Sequence, residues 1–231
     1  PVSVSPHARA LSGSPDQLCM YMPRGGGTTA VDDRVDVPSI SADCSPAMGF
    51  AELSAAGQDK GWLQLAKGIV ANVERVVDSE HVPTAPYQLP AGMRGYGERM
   101  ILLNAHLDLA RARTRLGIDV RHDELGRARN RLMDYRQPNG LFLEVTSGLA
   151  GLEDTLLLRH RTPGHAIEGL WMVAQADSIT GQVHGDALSA SALALCELGW
   201  DTHEGGLFRN VVECGSKPRG RLLGGAYETW V

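Results

Sequence analysis

The chain has 231 residues, 43% of them hydrophobic, with 22 basic against 27 acidic side chains and a net charge of −5. That is enough for one well-cored domain, and its mild acidity excludes a general affinity for nucleic-acid phosphates or anionic membranes. No apolar run reaches bilayer length and no basic-then-apolar leader opens the sequence. The four cysteines (Cys19, Cys44, Cys196, Cys214) are too scattered for a zinc site or a disulfide scaffold, so they read as reduced packing residues of a cytoplasmic protein.

Residues 1–40 carry Pro1, Pro6, Pro15 and Pro23, the run Gly25-Gly26-Gly27 and the acidic cluster Asp32, Asp33 and Asp36. This composition predicts an irregular segment ahead of a single helical domain over 41–231. The triple glycine reads as a loop, because no Lys-Ser/Thr pair follows it to hold a phosphate. The spacing then predicts a helix over 46–56, capped by Ser45, opened by Pro46 and stopped by Gly57. A second helix follows a short turn, with Trp62, Leu65, Ala66, Ile69, Val73 and Val76 as its apolar stripe. Pro83, Pro86 and Pro90 predict a rigid connection.

From Glu98 to Leu116 a third helix sets Met100, Leu103, Leu107 and Ala110 on one face and Asn104, Asp108, Arg111 and Arg115 on another. A fourth, from about Arg121 to Arg136, buries Leu125, Ala128, Leu132 and Tyr135 and turns its arginines to solvent. Gln137-Pro-Asn-Gly140 breaks it, and residues 141–145 are a short extended piece. Another helix begins near His165 behind Pro163-Gly164, with Ile167, Leu170 and Ala174 apolar and His165, Glu168, Met172 and Gln175 on the other face. The last helix spans Gly185 to Leu198, and a glycine-rich tail follows. Paired helices with few strand signals predict an all-α domain.

His165 and Glu168, one turn apart at a helix entrance, have the makings of a proton-transfer pair, since imidazole is a base near neutral pH and a carboxylate can set its tautomer. The plain alternative is a helix start whose dipole Glu168 complements.

Gly164-His-Ala-Ile-Glu168 followed by Trp171 resembles the Pro-Gly-His-x-Ile-Glu-x-x-Trp segment of the N-acylglucosamine 2-epimerase family, which includes cellobiose 2-epimerases and aldose–ketose isomerases. Met100 to Asn104 is similar to that family's Met-x-Leu-Leu-Asn helix, Asn139 to Glu144 to its Gly-x-x-x-Glu connection, and Glu204 to Phe208 to its Gly-Gly-Leu-Phe loop. The resemblance runs from about Ser41 to the C-terminus. It implies an (α/α)6 toroid or barrel, incomplete here because the opening helices are missing and the end comes early.

The resemblance further implies a sugar epimerase or isomerase that moves the C2 proton without a metal or other cofactor. His165 matches the catalytic histidine, with Glu168 contacting substrate or orienting the imidazole. Asn104 matches a sugar-binding asparagine. Asp108 stands where cellobiose-type members have histidine; it is a candidate for sugar hydroxyls or else a partner of Arg111 or Arg115. Glu144, Trp171 and Arg99 complete the substrate-binding candidates, although core packing is the equal reading for Trp171 and the favoured one for Phe208. The family's early-helix arginine and its second, C-terminal histidine have no clear counterpart, and His203 is the nearest candidate for the latter. Two other readings stay open: a sugar-binding or interaction protein of the same fold, and an α/α-barrel glycosidase using two of Asp108, Glu144 and Glu168. A homodimer is the expected way to cover the open faces of an incomplete barrel.

Overall fold

The computed structural model describes residues 39–84, 89–213, 221–222 and 225–226. The expected irregular segment up to Pro38, Pro86, Cys19, Cys214 and the terminal residues 227–231 lie outside them. Among the described residues seven helices run in chain order: α1 (Ile40–Gly57), α2 (Lys60–Val77), α3 (Tyr96–Arg115), α4 (His122–Met133), the single turn α5 (Leu156–Arg159), α6 (Pro163–Thr180) and α7 (Gly185–Gly199). Short antiparallel ribbons stitch the connections: β1 (Met93–Gly95) with β2 (Val145–Ser147), β3 (His160–Arg161) with β4 (Val211–Val212), and β5 (Arg221–Leu222) with β6 (Gly225–Ala226).

The first helix starts earlier than its sequence suggests. Ser39, not Ser45, is the cap, its hydroxyl accepting the Ala42 N–H at 3.2 Å. Pro46 therefore sits inside α1, where it cannot donate to the Ala42 carbonyl, while the Ser45 hydroxyl donates to the Ser41 carbonyl at 2.9 Å. Burial carries the helix through this defect, because Ile40, Cys44, Ala47, Ala51 and Ala55 form one apolar face spanning the proline. At the far end the left-handed residue is Gln58 (φ 55°) and not Gly57, and the Asp59 carboxylate caps α2 by accepting the Gly61 N–H at 2.8 Å.

Helix α3 is the partition of the molecule, packed by α1 and α2 on one side and by α4 and α6 on the other. It divides two cores accordingly. Leu102, Ala105, Leu109 and Ala112 join the α1–α2 core, whereas Met100, Leu103, Leu107 and Ala110 face α4, α6 and α7. Each fully buried leucine contributes about 1.5–3 kcal/mol by the usual area relation, before chain entropy is subtracted. The α2 face in contact is Leu63, Ala66, Val70, Val73 and Val77, rotated from the expected stripe; Leu65 is exposed and Trp62 stacks on Phe50 at 5.3 Å. Ala174 on α6 is likewise exposed and Met172 buried, because α4 and α7 close on the other side of that helix.

Two further expectations are corrected. The α4 arginines are not all solvated: Arg129 is buried and grips Asp177 of α6 with both ends of its guanidinium, at 2.8 and 3.2 Å. Of the cysteines described, Cys44 is a packing residue whose thiol burial, with Asp43 adding, pushes up to about 12, but Cys196 is exposed.

Candidate functional site

The β1–β2 ribbon and the entrances of α3 and α6 converge on one spot. Gly95 pairs with Val145, and the next donor along, the Tyr96 N–H, bonds the Glu144 carbonyl at 2.9 Å. This register fixes Glu144 beside the first turn of α3. Pro163 opens α6 at its first position, where a missing N–H costs nothing, and places His165 in the first turn. The α6 entrance is anchored from behind. Buried Arg161 donates to the carbonyls of Leu158 and His160 and to the carboxylate of Glu213, Thr162 bonds Asn210, and Pro163 packs so closely on Gly199 that no Cβ would fit there.

At the meeting point His165 Nδ1 donates to Glu144 Oε1 at 2.9 Å, leaving Nε2 with the lone pair of the neutral ring. Both side chains remain partly exposed, at 36% and 18%. Burial alone would lower the imidazole pKa, but Glu144, then Glu168 and Glu98, together outweigh it and raise the value above that of an ordinary histidine. Glu98 is raised as well, first by burial and then by Glu144, against its own backbone N–H, His165 and Arg99. Three carboxylates from three different elements thus face one imidazole.

Beneath them lies Tyr96, 6.0 Å from His165 between ring centres and edge-on to Tyr135 and Phe142. Its hydroxyl is buried against Gly169 with no hydrogen-bond partner among the described residues, and burial with the charges of Glu144 and Glu168 pushes its pKa far up. Gly97 borders the ring: a Cβ there would stand 3.4 Å from His165 Cε1.

Of the residues singled out from sequence, His165, Glu144 and Glu168 come together, and it is Glu144 that hydrogen-bonds the imidazole while Glu168 acts on it through its charge from an exposed position. Asn104 and Asp108 follow Gly97 at seven and eleven residues on the same side of α3. Asp108 pairs with Arg111 at 2.6 Å, the sequence-local partnership weighed against sugar binding. Arg99 leaves α3 in another direction and binds Asp78 at 2.9 Å. Trp171 is 54% exposed and so is no core residue, and Phe208 is half-buried. His203 is 91% exposed, with only Glu204 near it at 3.8 Å among the ion pairs described. Glu98 was not singled out from sequence; its signal was a glutamate three residues into a helix whose cap is a glycine.

No group of three or more His, Cys, Asp or Glu suited to a metal ion occurs among the described residues, and no helix among them is long and apolar enough to cross a membrane. No family model and no curated protein matches the sequence. Among solved structures, the cellobiose 2-epimerase of Bacillus thermoamylovorans B4167 is similar with a TM-score of 0.54 at 16% identity, over 76% of this chain and 50% of that one. A D-mannose isomerase aligns at 0.46 and 10% identity over 80% of this chain and 66% of its own. A family 76 glycoside hydrolase from a bovine Bacteroides thetaiotaomicron strain aligns at 0.49 and 14% identity over 70% and 35%. The chain spans half the length of the epimerase, and the likeness is one of fold: an all-α chain of the (α/α)6 toroid class.

Proposed function

We propose that the chain acts on a small sugar as a C2 epimerase or aldose–ketose isomerase, with His165 as the acid/base and Glu144 fixing its tautomer. The observation that carries this reading is the 2.9 Å bond from Nδ1 to Glu144, which presents Nε2 as a proton acceptor at the rim of a partly open site. In the open-chain sugar the C2 proton lies beside a carbonyl. Nε2 takes it, the C–H electron pair moves toward the carbonyl oxygen, and the proton returns from the imidazolium. Asn104 and exposed Trp171 are the proposed sugar contacts, the first by hydrogen bonds and the second by stacking. Glu168 adds charge that favours the imidazolium. The sequence resemblance to N-acylglucosamine 2-epimerases and the fold likeness to a cellobiose 2-epimerase support the same reading.

The test is proton NMR in deuterium oxide with D-mannose, D-fructose, N-acetylmannosamine, N-acetylglucosamine and cellobiose in separate tubes. Loss of the C2 proton signal with a new anomeric or ketose signal is expected for at least one of them. His165→Ala should slow it by roughly 100-fold or more. If no sugar exchanges, or the alanine variant exchanges as fast as the parent, the reading is wrong.

A second reading, glycoside hydrolysis, has one observation in its favour: Glu98, whose carboxyl pKa burial raises, shares the surroundings of one imidazole with Glu144 and Glu168, so more than one carboxyl group is gathered there. Release of reducing sugar from a mannan, with no deuterium entering C2, would select it.

A further inference from the structure

Glu98 is the one member of the cluster that neither the sequence motif nor the imidazole hydrogen bond accounts for. It stands in the first turn of α3, its carboxyl folded back over Gly95 so closely that a Cβ on that glycine would collide with it. Its neighbour Gly97 faces His165 Cε1, so the turn that carries Glu98 is the wall of the imidazole pocket. The groups that act on it come from every side: Glu144 from the ribbon, His165 from α6, Arg99 from its own helix and Tyr135 from beyond the end of α4. A glutamate serving only as a helix cap has no need of a histidine and a second carboxylate beside it.

We propose that Glu98 is the second proton carrier of this site, moving the hydroxyl proton of the sugar while His165 moves the carbon-bound one, so that the reaction is aldose–ketose isomerisation. This rests on the reading of His165 given above. In the first half, Nε2 takes the C2 proton and the C–H pair becomes the C1=C2 bond. The carbonyl π pair goes to O1, which takes the proton of the Glu98 carboxyl, leaving a neutral enediol, an imidazolium and a carboxylate. In the second half the Glu98 carboxylate takes the O2 proton, the O–H pair becomes the C2 carbonyl, and the C1=C2 pair takes the imidazolium proton at C1. Ketose, neutral imidazole and neutral carboxyl remain, with no co-reactant. Epimerisation at C2 would instead need a proton delivered to the opposite face of that carbon by a further group. The productive form is the one in which the proton sits on Glu98 and not on His165; burial and Glu144 raise the Glu98 pKa toward it, against the pull of its own backbone N–H, His165 and Arg99.

The experiment follows D-mannose and N-acetylmannosamine in deuterium oxide with the parent, Glu98→Gln and Glu98→Asp. The parent should convert mannose to fructose carrying deuterium at C1, with kcat/KM falling at both low and high pH. Glu98→Gln should lose at least 100-fold in fructose formation but less in C2 exchange, so that the ratio of exchange to product rises tenfold or more, and the alkaline fall should vanish. Glu98→Asp, which keeps the acid, should recover at least tenfold over the glutamine variant. Because a helix cap would also be lost, melting curves accompany both variants, and equal impairment of the two would mark a structural role and overturn the proposal. An unchanged ratio and pH profile in Glu98→Gln would also overturn it. A parent that exchanges N-acetylmannosamine yet never forms a ketose would leave the His165 reading standing and sink the Glu98 step; a parent that exchanges neither these sugars nor the wider set would sink both.

Discussion

Replacing Glu144 with glutamine keeps the shape of the side chain beside His165 and removes its charge. In the parent, burial favours the neutral ring, but the three carboxylates favour the imidazolium and win, so the proton stays on to a pH above the ordinary histidine value of about 6.5. A base must shed that proton before it can act. The acid limb of kcat/KM is therefore expected above pH ~6.5 in the parent and at lower pH in Glu144→Gln. Turnover at the optimum should fall at the same time, because an amide can present its NH2 in place of its oxygen and no longer fixes Nδ1 as the donor. Imidazole NMR titration alongside the rate profile checks both halves; an acid limb that stays put or moves up would disprove the coupling. The linkage to stability has the matching sign. A raised folded-state value contributes stability below the unfolded histidine value, and that contribution is lost as pH rises through the folded one, although for a ring 36% exposed it is small.

Helices α3 and α6 approach through a missing side chain. The Tyr96 hydroxyl occupies the space a Cβ at Gly169 would take, with Leu132 Cδ2 3.3 Å away on the remaining side. Alanine is the better helix former by up to ~1 kcal/mol, but overpacking a fully buried ring costs ~1–3 kcal/mol, so Gly169→Ala should be destabilising on balance. Adding Tyr96→Phe should recover part of the loss, because the hydroxyl is the nearest clash and has no partner among the described residues to forfeit. Denaturant melts of the two single variants and the double read this directly, and additive losses would contradict it. The same contact shows what was and was not legible in the sequence. Periodicity alone located Met100, Leu103, Leu107 and Ala110 of α3 and Leu125, Ala128 and Leu132 of α4, all buried, but not the second buried face of α3, Leu102, Ala105, Leu109 and Ala112. It missed the first turns of α1, where Ser45-Pro46 mimics a helix start and only tertiary burial of Ile40 and Cys44 overrides it. Nor does periodicity account for Gly169, because the tyrosine that requires it lies 73 residues earlier. In the site, His165 and Glu168 were visible as neighbours on one helix. The Glu144 bond depends on the register of a three-residue ribbon, and Glu98 on the fold of a single helical turn. Neither leaves a periodic trace.

At the scale of the molecule, two buried histidines, one on α3 and one on the β3–β4 ribbon, tie stability to pH. His106 on α3 is buried among α2 and α4, with Glu74 at 4.0 Å and no hydrogen-bond partner for its Nε2 among the described residues. Burial lowers its pKa, and of the surrounding charges Glu74 and Glu124 oppose that shift while Arg131 and Arg127 add to it. His160 on β3 is buried with Nδ1 donating to the Leu157 carbonyl at 2.6 Å, and burial again lowers its value against the pull of Glu144 and that carbonyl. In the unfolded chain both would protonate near pH ~6.5, whereas in the folded protein both resist. The stability present above that pH must therefore drain away as pH falls through the window between the unfolded and folded values, by no more than ~1.4 kcal/mol per pH unit for each ring. His165 does not mask this, because its own contribution changes only above pH ~6.5. His106→Leu separates the cause from the other titrations. Leucine replaces an unsatisfied polar ring with an apolar side chain, and Glu74 keeps its bond to Arg131 at 2.8 Å. Urea melts at pH 7.5 and 5.5 should show the variant losing less stability than the parent across that interval, with the difference between the two growing as pH falls; parallel pH slopes would mean that His106 protonates freely in the folded protein and that the α2–α4 wall opens to admit water.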